Sequence, residues 1–531
     1  MKNNRLLFSA TVITFLLVGC TDELNVLPED PDTFLVDDFY TTPESYLQGL
    51  AGVYGNLALT GAEGPENSNI SGLDAGTSQY GRGLWNLQEL TTDEVIWSWE
   101  NDPGTRELNR NTWSADNVII RGFFGRAMTQ VAFVNEYLRQ TAEPILEIRG
   151  VDSATRQNIL EYRAEARFLR ALAYYHIIDL FGKAGFVTES DPVGAFQSPE
   201  YSRTQLFDFL ESELLAIMPD LVDPLQNDYA RVDKAAAWML LAKLYLNAEV
   251  YIGEDRYAAC MQYCEQIIDA GFQLSPNYLD VFKADNDLGS ARNEIIFPLL
   301  SDGVVTQNYG PTTLTVNGQV GSLEQNGLDF GVVAGAWGGA LRVTRQFSEL
   351  MLSGPYDTDE RNTLIIGDRP IDAVPINNNG TGYIIGKWSN ITSQGNTGSA
   401  TEIVDTDFPL FRLGDVYLMY VEAHLRGGGG TLENALDYFN SLRIRANNPN
   451  LITSGDLNLE LVLNERLVEL HWEGHRRQDL IRFNRYTGGV YNWSWKGSAP
   501  NGIPIPNFRS LFPIPNASLA SNPNLNQNTG Y

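Results

Sequence analysis

Tyr162-Arg163-Ala164-Glu165-Ala166-Arg167-Phe168-Leu169-Arg170-Ala171, running on through Tyr174-Tyr175 to Leu180-Phe181-Gly182, decides how the fold is read. Small residues alternate with aromatic ones at helical spacing. Small side chains let two antiparallel helices approach closely, and the aromatics fill the next groove. The same alternation recurs in Leu241-Ala242-Lys243-Leu244-Tyr245 followed by Tyr257-Ala258-Ala259, and again in Tyr417 to Leu425 followed by Leu432 to Arg445. The repeats are scattered and degenerate, which excludes a simple solenoid. They predict a mostly α protein: a tetratricopeptide-like helical-repeat scaffold with long loop-rich insertions and short strands.

Outward from that stretch, apolar periodicity predicts helices over Asp37 to Leu59 (opened by Pro43-Glu44), Val118 to Gln140, Ser153 to Phe181, Asp233 to Ala248 and Arg256 to Ala270. A further helix is predicted over Thr204 to Met218, with Thr204 as its N-cap. Two insertions, about 59–115 and 272–408, are rich in Gly, Asn, Thr and aromatics. A third irregular region follows Tyr486, carrying Pro500, Pro504, Pro506, Pro513, Pro515 and Pro523. Loops this long within a compact chain are usually functional.

The first residues read as a targeting segment. Lys2 and Arg5 precede the apolar run Leu6 to Val18, which is short for a membrane span of ~20 residues and has the proportions of a signal h-region. It ends in Leu17-Val18-Gly19-Cys20, a lipobox whose thiol would carry lipid, followed by Thr21, Asp22 and Glu23. The expected division is therefore 1–19 signal peptide, 20–36 lipidated tether, and 37–531 a single domain. The lipid anchor is the only membrane attachment expected.

Over 531 residues the net charge is −29. Such a field disfavours nucleic acid and anionic membrane surfaces as partners. It favours a neutral ligand, or serves solubility alone. Cys260 and Cys264, four apart on a helical pattern, suit neither a disulfide nor a zinc site and are read as small core residues.

His471 and His475 are spaced four apart on an expected helix, but Trp472 stands where a zincin needs Glu, so no metal site is assigned. Asp93 and Glu94 beside Trp97 are the most tempting carboxylate pair, yet adjacent side chains diverge, which suits glycoside hydrolysis poorly. No nucleophile elbow, P-loop or dinucleotide fingerprint occurs, and the chain is read as a binding protein rather than an enzyme, with no cofactor. A structural calcium ion among the many Asp and Asn residues stays compatible, although no EF-hand loop is present.

The binding signal is aromatic. Sugar rings present apolar C–H faces to Trp and Tyr, while Asp, Asn and Arg meet their hydroxyls. Trp85, Trp97 and Trp99 cluster in the first insertion beside Asp74, Arg82, Glu100 and Asn101. Tyr309 and Trp337 lie in the second, with Asn308 and Arg342 close by. Glycines flank Trp337 and would leave its ring uncovered. Each of these aromatics can also serve as core. Trp493 and Trp495 are read as surface packing.

Four motifs in order carry a resemblance: the lipobox; Tyr162 to Gly182; Glu465-Arg466-Leu467-Val468-Glu469-Leu470 with Glu473-Gly474-His475-Arg476 and Asp479-Leu480-Ile481-Arg482; and Pro513-Ile514-Pro515 with Asn522-Pro523-Asn524-Leu525 and Gln527-Asn528. Together they resemble the SusD/RagB family across the whole chain. Arg163, Glu165, Arg167 and Arg170 are expected to pair with Glu465, Glu469 or Asp479, a structural role. The resemblance implies an outer-membrane, cell-surface lipoprotein that captures an oligo- or polysaccharide and delivers it to a SusC-like TonB-dependent transporter. It implies a shallow glycan platform from Trp337, Trp97, Trp99, Tyr309, Arg82, Asn101, Asp74 and Arg342, with a neutral glycan such as the β-glucan laminarin as candidate ligand. Some RagB relatives serve peptide uptake, and a peptide ligand is the alternative.

Overall fold

The computed structural model describes residues 36–194, 196–320, 328–333 and 339–531. Eight helices carry the scaffold: α1 Pro43–Ala58, α2 Tyr80–Gln88, α3 Val118–Gln140, α4 Ser153–Leu180, α5 Arg203–Ile217, α6 Lys234–Leu246, α7 Tyr257–Asp269 and α8 Leu413–Leu425, followed by α9 Leu432–Arg445, α10 Leu459–Leu470 and the short α11 Arg476–Arg482. Neighbours in this list pack together from α3 to α9, and α10 joins α8. The alternating small residues do what their pattern requires: Ala164, Ala166, Ala171 and Ala173 of α4 and Ala235, Ala236, Ala237 and Ala242 of α6 are all buried.

Side-chain caps set the helix starts. Asn117, Asp152 and Asp233 each accept two backbone N–H groups at the head of α3, α4 and α6. The start of α5 falls earlier than its sequence suggested. Ser202, not Thr204, is the cap, because Gln205 stands at the third helical position and closes a reciprocal capping box. The predicted first helix also divides, into a single turn at Val36–Phe39 and α1 proper. Cys260 and Cys264 are free and buried, as read from the sequence.

Strand pairs staple the insertions to the scaffold. Ile295–Leu299 lies antiparallel to Phe408–Arg412 at the base of the large insertion, both fully buried. Ile96–Trp97 pairs with Leu341–Arg342, with Trp97 opposite Leu341. This small ladder joins the two insertions.

The ion pairs differ from those expected. Arg167 and Arg170 of α4 meet Glu213 of α5, Arg170 also meets Glu189, and Glu165 meets Arg231. Arg163 donates to the Leu138 carbonyl and the Thr141 hydroxyl. Glu465 and Glu469 turn instead toward the large insertion. Glu469 accepts from Arg361 (2.9 Å) and Arg412 (2.7 Å) and also meets Arg445. Glu465 accepts from Arg361 and Arg443, both at 2.8 Å. Asp479 meets Arg466 and Arg482. One shared partner, Arg361, lies more than 100 residues before Glu465 and Glu469, which spacing along one helix could not reveal.

His471 and His475 do not share a helix. α10 ends at Leu470, and Trp472 and Gly474 both take positive φ. Two carboxylates from within the first insertion hold this break: Glu94 accepts from the Trp472 N–H at 2.8 Å, and Glu89 accepts from the N–H groups of Gly474 and His475. Asp93 grips Arg476 through both oxygens and accepts from the Tyr491 hydroxyl. The tempting Asp93–Glu94 pair is thus occupied in joining the first insertion to α11. Trp493 and Trp495 are both buried, against the expectation of surface packing: Trp493 packs with Tyr486 and Tyr491, and Trp495 sits among Ile96, Ala373 and Ile376 of the insertions. No helix among the described residues is long and apolar enough to cross a membrane.

Candidate functional site

The helix α2 supplies the base of a cleft of about 470 Å³. Asp74, Arg82, Trp97, Trp99 and Tyr309 all line it, together with Glu66, Asn86 and Asp102. Local chemistry fixes each position. Asp74 caps a short turn by accepting from the Thr77 N–H, and Gln79 caps α2 by accepting from the Arg82 N–H at 2.7 Å. The Asn109 carboxamide clamps the main chain of Trp97 on both sides, accepting from its N–H at 3.0 Å and donating to its carbonyl at 2.7 Å. A turn follows, in which the Asp102 N–H donates to the Trp99 carbonyl and brings Asp102 back toward Arg82.

Arg82 shares the cleft with two carboxylates whose charges act on it. Burial pushes its guanidinium down to about 10, and Asp74 and Asp102 oppose that. Burial raises the Asp102 carboxyl, and Arg82 works against the rise. Gly76 gives the guanidinium its space, since a Cβ there would collide with Arg82. Also lining the cleft, Tyr309 donates its hydroxyl to Glu66 and reaches Glu402, and burial followed by these carboxylates raises its pKa.

A second hollow of about 840 Å³ shares Trp99 and Asp102 with the first. Asn101 lines it, with Arg106, Asn377, Asn379 and Trp495. Glu100 is held there by a two-pronged contact from Arg110, whose guanidinium lies 4.7 Å from the Trp495 ring centre. Trp99, half-buried, forms the ridge between the two hollows.

The expected residues therefore separate. Asp74, Arg82, Trp97, Trp99 and Tyr309 come together, and Asn101 joins them across the Trp99 ridge. Trp97 is only 4 % exposed and the Arg82 guanidinium lies over its ring, so little of this indole is left for a ligand. Arg342 does not reach the surface: it is fully buried, and its guanidinium donates to the carbonyls of Thr381, Leu341 and Asn379. Pairing in the strand ladder turns it inward, and it supports the neighbouring loop instead of meeting a ligand. Trp85 and Asn308 are also internal; the Trp85 indole N–H donates to the Trp472 carbonyl. Trp337 and Cys20 lie outside the described residues. The expected shallow platform is, over the described residues, a cleft joined to a hollow. Asp102 and Asn86 were missed by sequence reading. Asn86 was within reach of it, because it follows Arg82 by four residues and so shares its helix face.

Chemically, one guanidinium donor, several carboxylate acceptors and indole surface in a cleft of this size suit a small polar molecule with an apolar face. Among the described residues no group of three or more His, Cys, Asp or Glu side chains is arranged to hold a metal ion.

The SusD family's sequence profile matches residues 342–531. The starch-binding protein SusD of Bacteroides thetaiotaomicron is 33 % identical to this chain, covering 99 % of it and 98 % of the relative. Among solved structures, a SusD homologue from the same organism superposes with a TM-score of 0.70 at 21 % identity, covering 93 % of this chain and 98 % of the other. Surface glycan-binding protein A of Bacteroides thetaiotaomicron, solved in complex with laminarihexaose, gives 0.65 at 18 % identity over 91 % and 99 % of the two chains.

Proposed function

The chain belongs to the SusD family, and from that premise we propose that it is a cell-surface lipoprotein that captures a neutral oligo- or polysaccharide. The arrangement of Trp99, Arg82, Asp74, Asp102 and Tyr309 around one cleft carries this reading. Indole surface takes the C–H face of a pyranose, the guanidinium donates to hydroxyl oxygens, and the carboxylates accept from hydroxyl hydrogens. Three carboxylates, Glu66, Asp74 and Asp102, face one Arg82 in the cleft, and the whole chain carries −29. That balance repels an anionic glycan and leaves a neutral glucan as the favoured class. The starch named for one relative and the laminarihexaose bound to another are both of that class.

The proposal extends to the anchor and the partner. Cys20 in Leu17-Val18-Gly19-Cys20 would carry the lipid that tethers the domain to the outer membrane. A SusC-like TonB-dependent transporter would receive the glycan. An open cleft buries little of a long ligand and so binds it weakly at each site, which suits a protein that hands its cargo onward.

Affinity electrophoresis of the purified protein in gels containing starch, laminarin or alginate tests the reading. Retardation by a neutral glucan and not by alginate is expected. Migration unchanged in every gel would overturn it, and binding to peptides instead would move the protein to nutrient-peptide capture.

A further inference from the structure

Asn86 has no role in the fold that its surroundings explain. It is 2 % exposed and lies on α2 one turn after Arg82, so both side chains face the same cleft. Among the described residues its Oδ1 atom meets no hydrogen-bond donor. A buried amide oxygen left in that state is destabilising, and an apolar side chain of the same shape would remove the cost. Gln79, the cap of the same helix, is engaged at both ends of its amide: it donates to the Leu57 and Ala58 carbonyls and accepts from the Arg82 N–H, while Gln88, whose Oε1 likewise meets no donor, gives its Nε2 to Asp179. Asn86 differs from them in lining the cleft.

We infer that Asn86 is a specificity-determining residue of the cleft, where its Oδ1 accepts from a hydroxyl of the seated sugar while Arg82 donates to the neighbouring hydroxyl. This rests on the glycan-binding reading and deepens it. The amide and the guanidinium, one helical turn apart, form an acceptor beside a donor, which matches two adjacent free hydroxyls on a pyranose. The cleft therefore takes an unsubstituted hexose and rejects one whose hydroxyl in that place is methylated or missing. Sites that hydrogen-bond a ligand hydroxyl discriminate strongly against analogues that lack it, because their own polar group is then left unpaired.

Isothermal titration of wild-type protein and Asn86→Leu with maltoheptaose and laminarihexaose tests the inference, with the melting temperature of each protein read alongside. At least tenfold weaker binding by Asn86→Leu, at an unchanged or higher melting temperature, is expected. Equal affinity of the two proteins would overturn the inference and leave the glycan reading standing. A loss of binding accompanied by a large fall in melting temperature, repeated in Asn86→Ala, would make Asn86 structural and also overturn it. Should Asn86→Leu fail to fold, Asn86→Ala carries the comparison. Absence of wild-type binding to both oligosaccharides and to every polysaccharide gel would overturn the glycan reading itself.

Discussion

The guanidinium carbon of Arg82 lies 5.8 Å from the centre of the Trp97 ring, in a cleft where the charges of Asp74 and Asp102 act on it. A cation over an indole ring, inside an acidic cleft, is held for a task at the surface rather than for packing. Arg82→Ala is expected to weaken glycan binding by about 1.5–3 kcal/mol, the worth of a hydrogen bond to a charged group. Gly76→Ala should weaken binding by displacing the same guanidinium, although residue 76 itself offers no ligand group. Titration with laminarihexaose or maltoheptaose measures both.

Trp97 and Trp99 are two residues apart, yet their substitutions should separate. Trp97 is buried in the ladder between the insertions, so Trp97→Ala is expected to cost about 3–5 kcal/mol of stability. Trp99 is half-buried and walls both hollows. Trp99→Ala should leave the urea midpoint nearly unchanged while abolishing retardation in glucan gels. The pair distinguishes a core ring from a binding ring.

Glu469 joins the C-terminal helices to the large insertion through Arg361 and Arg412. All three groups are buried, and removing one charge leaves the others uncompensated. Glu469→Gln is expected to destabilise the protein by about 3–5 kcal/mol in urea unfolding.

The α10–α11 break shows how far the sequence could be read. The helices of the scaffold were legible because small and aromatic residues repeat at a helical period, as from Ala164 to Tyr175. The break at Trp472 was not, because it depends on Glu89 and Glu94, nearly 400 residues away, capping N–H groups that no local residue satisfies. The cleft was half legible. Arg82, Trp99 and Tyr309 announced themselves by residue type. Arg342 misled because a short strand turned it inward, and Asn86 was passed over because an amide in a helix carries little signal until its burial is known.

Glu89 and Glu94 make a pH dependence. Burial pushes the Glu89 carboxyl up to about 7, with the backbone N–H groups of Gly474 and His475 opposing; burial and then Glu89 raise Glu94 well above the usual carboxylate range. A carboxyl raised on folding keeps its proton longer in the folded state. Its contribution is therefore present in full below about pH 4.5 and is lost as pH rises toward about 7. Glu89→Gln keeps an acceptor without the charge. The difference in unfolding free energy between variant and wild type should grow over that window by at most about 1.4 kcal/mol per pH unit and level off above it. A constant difference from pH 4 to pH 8 would contradict the assignment.

Hydroxyl-radical footprinting tests the central claim most directly, because Trp99 and Tyr309 both line the cleft and are both partly exposed. With laminarin or soluble starch added, oxidation of Trp99 and Tyr309 should fall, while that of Tyr263, remote on α7, should stay as it was. Protection confined to other surfaces, with Trp99 and Tyr309 oxidised as before, would contradict the account.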